Sequence, residues 1–268
     1  AMKGVRAVLV GLLAASLLAT APVHAGRSCE NRPLQAITVE RGLTLAERTL
    51  QALDASGAQV VLLARAGQDL SKYGLRWSHL GFAYRQPDGQ GGHVWRVLHK
   101  LNHCGTQEAA IYRQGLGEFF LDDLWRLEAA WVVPTPEVQA RLHALLLQEQ
   151  RATALHHRPY NIVSYPWSQK YQQSNQWAIE TLAAAMEPTV YSRERAQAWL
   201  QFKGYQPTTL KIGALTRLGG RLGAANVAFD DHPGEKRYSD RIETVTVDSV
   251  FAWLQRAQLG GSPVVLRY

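Results

Sequence analysis

Three side chains in this sequence have the chemistry of a nucleophile assisted by a base, namely Ser174, His79 and His99. Ser174 stands at the start of an apolar run, residues 174–186, that is typical of a helix. A hydroxyl there lies at the positive end of the helix dipole, where negative charge is favoured. One imidazole can accept the hydroxyl proton, and a second polar group can hold that imidazole in the required tautomer. The residue types therefore indicate a candidate nucleophile, Ser174, and two imidazoles, His79 and His99, that come from separate elements.

The two histidines fall in a predicted β-hairpin. Residues 80–84 alternate large and small side chains, residues 93–101 alternate again, and the sequence PDGQGG at 87–92 is typical of a turn. We expect these two strands to pair antiparallel. Ser174 is predicted to be the N-cap of a helix that Pro188 ends, and a plain helix cap is the alternative role for this serine.

The rest of the chain predicts helices and strands without a linker or an internal repeat, which favours one α+β domain over residues 26–268, with an antiparallel sheet packed against helices. A buried strand is expected at residues 60–64, and further strands are expected at residues 129–133, 209–212, 242–247 and 263–268. Helical segments are expected at residues 43–55, 107–113, 119–125, 137–155 and 192–203. A last helix is expected to begin at Asp248, as its cap, and to end at residue 258.

The segments SHLGFAYR (78–85) and WRVLHKL (95–101) resemble the permuted papain-like superfamily, which includes NlpC-type and lecithin:retinol acyltransferase-like enzymes. The resemblance implies a papain-like core in circularly permuted order, with His79 as base, His99 as orienting residue and Ser174 as nucleophile. The superfamily nucleophile is usually Cys, so Ser174 is a serine nucleophile, an engineered replacement of Cys, or a relic in a protein without activity. The chain also resembles an exported bacterial family with the same SNQW stretch at 174–177.

Other residues are predicted to complete this site. The amide of Ser174 and the side chains of Gln172 and Gln173 are candidate oxyanion donors, because donors must face the charge that develops on the substrate. Trp77 and Trp177 adjoin the proposed catalytic positions and are expected near a substrate. No metal site and no cofactor is predicted, since the acidic residues at 230–235 surround Pro-Gly and favour a solvated turn.

The first 25 residues have the pattern of a secretory signal peptide, in which a basic start precedes an apolar run and ends in small residues. Removing them lowers the formal charge from +7 to +5 and leaves no predicted transmembrane span. Export to a periplasmic or extracellular location favours a disulfide between Cys29 and Cys104. A thiolate nucleophile at Cys104 is the rival interpretation.

The combined prediction is an exported hydrolase or acyltransferase that acts on an amide or ester bond of a cell-envelope peptide or lipid. The alternative from another class is an inactive papain-like protein that binds or scaffolds envelope components. The sequence contains no dense basic run with interleaved aromatic residues, so nucleic-acid binding is not expected.

Overall fold

The structure is a computed structural model that describes residues 33–268. The predicted signal peptide and Cys29 lie outside the described residues. The described chain is α+β, as predicted, and its main element is a six-stranded antiparallel sheet in the order β4-β3-β2-β1-β5-β8. The strands of this sheet are β1 (Val60–Ala66), β2 (His79–Pro87), β3 (His93–Asn102), β4 (Ala109–Gly115), β5 (Arg126–Val132) and β8 (Val264–Arg267).

Helices cover both faces of this sheet, and a small second sheet pairs β6 (Thr208–Lys211) with β7 (Arg241–Thr244). The helices of the described chain are α1 (Ala36–Ser56), α2 (Leu116–Phe120), α3 (Pro136–Leu146), α4 (Glu149–Thr153), α5 (Ser174–Met186), α6 (Arg193–Phe202), α7 (Ala214–Gly223), α8 (Gly234–Tyr238) and α9 (Val247–Arg256). None of them is both long and apolar enough to cross a membrane.

The alternation of side chains along the strands divides the core into two clusters. Phe82 of β2 packs with the apolar side chains of α3, α5 and α9, and its ring lies 5.7 Å from that of Trp177. Ala83, the next residue, packs with α1 and α2 on the opposite face. Since successive side chains of a strand point to opposite faces, His79 and Gly81 lie on the α1 and α2 face, together with Ala83.

The predicted hairpin is confirmed. β2 and β3 pair antiparallel from Phe82 opposite Leu98 to Pro87 opposite His93, and the turn at 88–92 contains Gly89 and Gly91 with positive φ angles. Only glycine adopts such angles readily, which explains the composition of the turn.

Several local predictions were wrong. Residues 109–115 form the edge strand β4 instead of a helix, because they pair along β3 from Ala109 to Gly115. The long helix expected at 137–155 is divided at Gln148, whose extended backbone begins α4. Thr246 caps α9, whereas Asp248 accepts hydrogen bonds from the backbone of Arg76 and Trp77.

Candidate active site

A cavity of about 650 Å³ opens at the end of the main sheet where β2 begins. Its walls come from the loop after β1, the start of β2, the N-terminus of α5, and the region of β6, β7 and α7. Ser174 and His79 both lie on its walls, so the structure brings two of the three predicted catalytic residues to one cavity. Tyr160 and Arg65 also face it.

His79 and His99 form a hydrogen-bonded pair on neighbouring strands. The Nε2 atom of His79 lies 2.8 Å from Nδ1 of His99, and Nε2 of His99 lies 2.8 Å from Oε1 of Gln114 on β4. The chain of side chains therefore crosses three adjacent strands, and both imidazoles also contact the ring of Phe119. The two predicted histidines are therefore in direct contact with each other.

The amide oxygen of Gln114 determines which ring nitrogens carry protons. An amide oxygen only accepts, so Nε2–H of His99 donates to it, and the neutral His99 ring then accepts at Nδ1. His79 must in turn donate from Nε2, which leaves Nδ1 of His79 unprotonated. That Nδ1 atom makes no hydrogen bond within residues 33–268 and retains accessible surface. It is a base with a free lone pair.

Burial keeps both imidazoles neutral. Burial lowers the pKa of His79 well below its ordinary value, and the nearby charges of Arg65 and then His99 lower it further. Burial, followed by the charge of Arg65, lowers the pKa of His99 to about 4, although its hydrogen bond to Gln114 acts in the opposite direction. At neutral pH the free nitrogen of His79 is therefore available to accept a proton.

Ser174 is the first residue of α5 and is not its cap, which corrects the prediction. The side-chain oxygen of Gln173 accepts from the backbone N–H of Asn175 and so caps the helix. This arrangement releases the hydroxyl of Ser174 from capping. Ser174 is 5 % exposed. Burial raises the pKa of the neighbouring Tyr160, and the Ser174 side chain opposes that rise only in part.

Ser174 and His79 reach the cavity from opposite faces of the sheet. Helix α5 packs through Trp177 against Phe82, whereas His79 lies on the face of Phe119. His79 is the first residue of β2, so its ring borders the open end of the sheet as well as that face. The two groups share the cavity because both stand at the ends of their elements.

The side chains of Gln172 and Gln173 are occupied by structural hydrogen bonds. Gln172 donates to the carbonyl of Leu155 and to Glu180. Gln173 donates to the hydroxyl of Thr244 and the carbonyl of Val245. An amide has only two N–H donors, so the expected oxyanion role of these side chains does not fit their contacts.

The two candidate substrate-binding tryptophans differ in position. Trp77 lies on the cavity wall and is 5 % exposed, and its predicted contact with substrate stays a prediction. Trp177 is fully buried in the core on α5, where substrate cannot reach it. Its position one helical turn after Ser174 predicted that Trp177 lies near the site. That position gave no information on the direction of the Trp177 side chain.

The cysteines and the acidic loop give no further site within the described chain. No free cysteine occurs in residues 33–268, so the rival thiol nucleophile at Cys104 is not supported. The disulfide with Cys29 stays a prediction, since Cys29 lies outside the described residues. Within the same range, His, Cys, Asp and Glu side chains form no group of three that could hold a metal ion.

Sequence reasoning missed Gln114, Tyr160 and Arg65. Gln114 was placed beyond a predicted helix, whereas it belongs to β4 and stands opposite Val97, on the histidine face. Tyr160 and Arg65 carry no local pattern. Only the folded chain brings them to the cavity.

The described chain is thus an α+β protein whose main sheet ends in a cavity lined by a serine, a tyrosine and an imidazole. It belongs to a bacterial family described as "Uncharacterized protein conserved in bacteria (DUF2145)", which matches residues 52–254. That span contains His79, His99, Gln114 and Ser174. No curated protein and no solved structure matches the chain.

Proposed function

We propose that this protein is an exported hydrolase or acyltransferase that cleaves an amide or ester bond, with Ser174 as nucleophile and His79 as base. The observation that carries the proposal is the hydrogen-bond chain from Gln114 through His99 to His79, which leaves the Nδ1 lone pair of His79 unused in a residue that lines the cavity. A cavity of about 650 Å³ is within the range of small-molecule sites.

The reaction would follow the usual two steps of acyl transfer. Ser174 Oγ attacks the carbonyl carbon while its proton passes to Nδ1 of His79. The tetrahedral intermediate collapses, the C–N or C–O bond breaks, and His79 returns the proton to the leaving amine or alcohol. Water or another acceptor then attacks the acyl-serine with the same base, and Ser174 is released.

Donors for the oxyanion come from Ser174 and Tyr160 in this proposal. The N–H of Ser174 belongs to the first turn of α5, where backbone amides lack acceptors within the helix. The hydroxyl of Tyr160 lies against the Ser174 side chain, and its pKa is raised by burial, so it remains a proton donor at neutral pH. These two donors replace the glutamine side chains as candidates.

The papain-like relationship and the cellular location are part of the same proposal. Support for a permuted papain-like core comes from the order of the parts, in which histidines on β2 and β3 precede a nucleophile that begins a buried helix. The signal-peptide pattern of residues 1–25 favours a periplasmic or secreted protein, and a Cys29–Cys104 disulfide fits that location. An envelope peptide or lipid is the corresponding substrate class.

Hydrolysis of a chromogenic ester, p-nitrophenyl acetate, tests the proposal with purified protein. The Ser174→Ala and His79→Gln variants are each expected to lose about 100-fold or more in kcat/KM. Ser78→Ala is the matched control, because Ser78 also lies on the cavity wall but its hydroxyl accepts from the backbone of Gly67. If Ser174→Ala keeps the wild-type rate, the protein instead fits the inactive binding or scaffolding class.

A further inference from the structure

Helix α7 exposes three leucines on one face. The exposed fractions are 86 % for Leu215, 56 % for Leu218 and 81 % for Leu222. Residues three and four apart share one side of an α-helix, so the three side chains form a continuous apolar stripe. No other part of residues 33–268 packs over this leucine face.

The opposite face of α7 forms part of the cavity wall. Thr216 and Gly220 line the cavity, and Gly220 is buried. A Cβ at Gly220 would lie 3.3 Å from Cγ1 of Val227, so a small residue allows the helix to sit this close. The same helix therefore closes the cavity with one side and presents leucines with the other.

The charged residues of the segment that contains α7 are all positive. Lys211, Arg217 and Arg221 are the only charged residues in the range 208–228. Arg217 pairs with Asp240 at 2.6 Å, whereas Lys211 and Arg221 are exposed. A stripe of apolar side chains flanked by cations is typical of helices that lie in the interface of an anionic membrane.

We propose that the leucine face of α7 docks on an anionic lipid bilayer, with Leu215, Leu218 and Leu222 inserted between the headgroups and Arg221 and Lys211 beside lipid phosphates. A ten-residue helix offers far less area than the roughly 800 Å² per partner of a stable protein interface. Lipid insertion needs only a few apolar side chains and complementary charge. Docking would set the cavity beside the membrane surface.

Vesicle flotation tests this surface directly. We expect the wild-type protein to float with vesicles of phosphatidylglycerol and phosphatidylcholine, and to bind phosphatidylcholine alone more weakly. The L215S/L218S/L222S variant should lose about tenfold or more of the binding, because its apolar surface is removed. Its melting temperature should equal that of the wild type, since all three side chains are exposed. R221E should bind less than the wild type, and raised salt should weaken wild-type binding.

Phe202→Ser is the matched control, since Phe202 is 82 % exposed on α6 and lies outside α7. It should float as the wild type does. The docking proposal is overturned if the leucine variant floats as well as the wild type, if Phe202→Ser loses as much binding, or if anionic lipid makes no difference. A dimer in light scattering that only the leucine variant abolishes would assign the face to a second copy and also overturn the proposal. Ser174→Ala should float normally, so a failure of catalysis is distinguishable from a failure of docking.

Discussion

Among single residues, Gln114 controls the proton positions of the site although it does not reach the cavity. Its oxygen fixes the His99 tautomer and thereby leaves Nδ1 of His79 free to accept a proton. The sequence placed His79 and His99 on a hairpin and Ser174 at a helix start, because both are local patterns. It missed Gln114 because the helix expected before that residue placed it off the sheet, whereas pairing with β3 makes the segment a strand.

Gln114→Glu should shift the pH dependence of activity. A carboxylate beside Nε2 of His99 favours the charged imidazole and raises the pKa of the pair from the low value that burial imposes. Because the base acts only when neutral, the acid limb of the kcat/KM profile should move to higher pH by about 1–2 units. The measurement is the pH–rate profile with p-nitrophenyl acetate.

Gln114→Leu is the companion variant and should lower the rate without moving the acid limb upward. It removes the acceptor for His99 and leaves a buried N–H unpaired, at a cost of about 1–3 kcal/mol in stability. A full wild-type rate in Gln114→Leu would show that this glutamine does not position the base.

Among the elements, the close approach of β2 and β3 depends on Gly81. A Cβ at this position would lie 2.9 Å from Cβ of His99 and 3.2 Å from the carbonyl oxygen of Leu98. The backbone oxygen cannot rotate away, so the strands must separate. The sequence motif contains a glycine two residues after His79. Only the pairing of β2 with β3 shows that this glycine leaves room for the side chain of His99 and the backbone of Leu98.

Gly81→Ala should therefore both destabilise the protein and weaken the His79–His99 hydrogen bond. We expect a loss of about 1–3 kcal/mol in the free energy of unfolding, as for other overpacked sites, and a fall in kcat/KM. Gly219→Ala is the control, because nothing lies within 4 Å of a Cβ there and it should be neutral or slightly stabilising. Urea unfolding of both variants measures the difference, and equal stability of the two would contradict the packing argument.

A buried ion pair joins α5 to α6. Arg193 donates to both carboxylate oxygens of Glu180, at 2.8 and 3.2 Å, and the Glu180 side chain is completely buried. Arg193→Met would leave a buried carboxylate without this cation, which should cost about 3–5 kcal/mol. Arg195→Met, an exposed arginine on the same helix, should change stability by less than about 0.5 kcal/mol. Urea unfolding of the two variants provides the comparison.

For the whole molecule, the sequence predicted the α+β class and most strands because alternation and turn composition are local. The sheet order β4-β3-β2-β1-β5-β8 and the division of Ser174 and His79 between opposite faces are products of long-range pairing. No short segment contains that information, so the cavity could not be predicted from residue patterns alone.

The buried imidazoles make the stability of the whole fold depend on pH. The folded pKa values of His79 and His99 lie below the ordinary value, so the unfolded chain binds more protons between about pH 4 and 6.5. The stabilising effect of their neutral forms is present above pH 6.5 and declines as the pH falls. His99 alone should contribute on the order of 1–3 kcal/mol to this decline. His99→Gln should flatten the slope of unfolding free energy against pH in this window, and an unchanged slope would contradict the assignment.

The central claim is that Ser174 is a nucleophile activated by His79, and covalent labelling tests it most directly. A fluorophosphonate probe, followed by mass spectrometry of the peptides, locates the modified residue. We predict an adduct on Ser174 in the wild-type protein, much slower labelling in His79→Gln, and no adduct in Ser174→Ala. Labelling that persists unchanged in Ser174→Ala, or a wild-type protein in which Ser174 stays unmodified, would contradict the account.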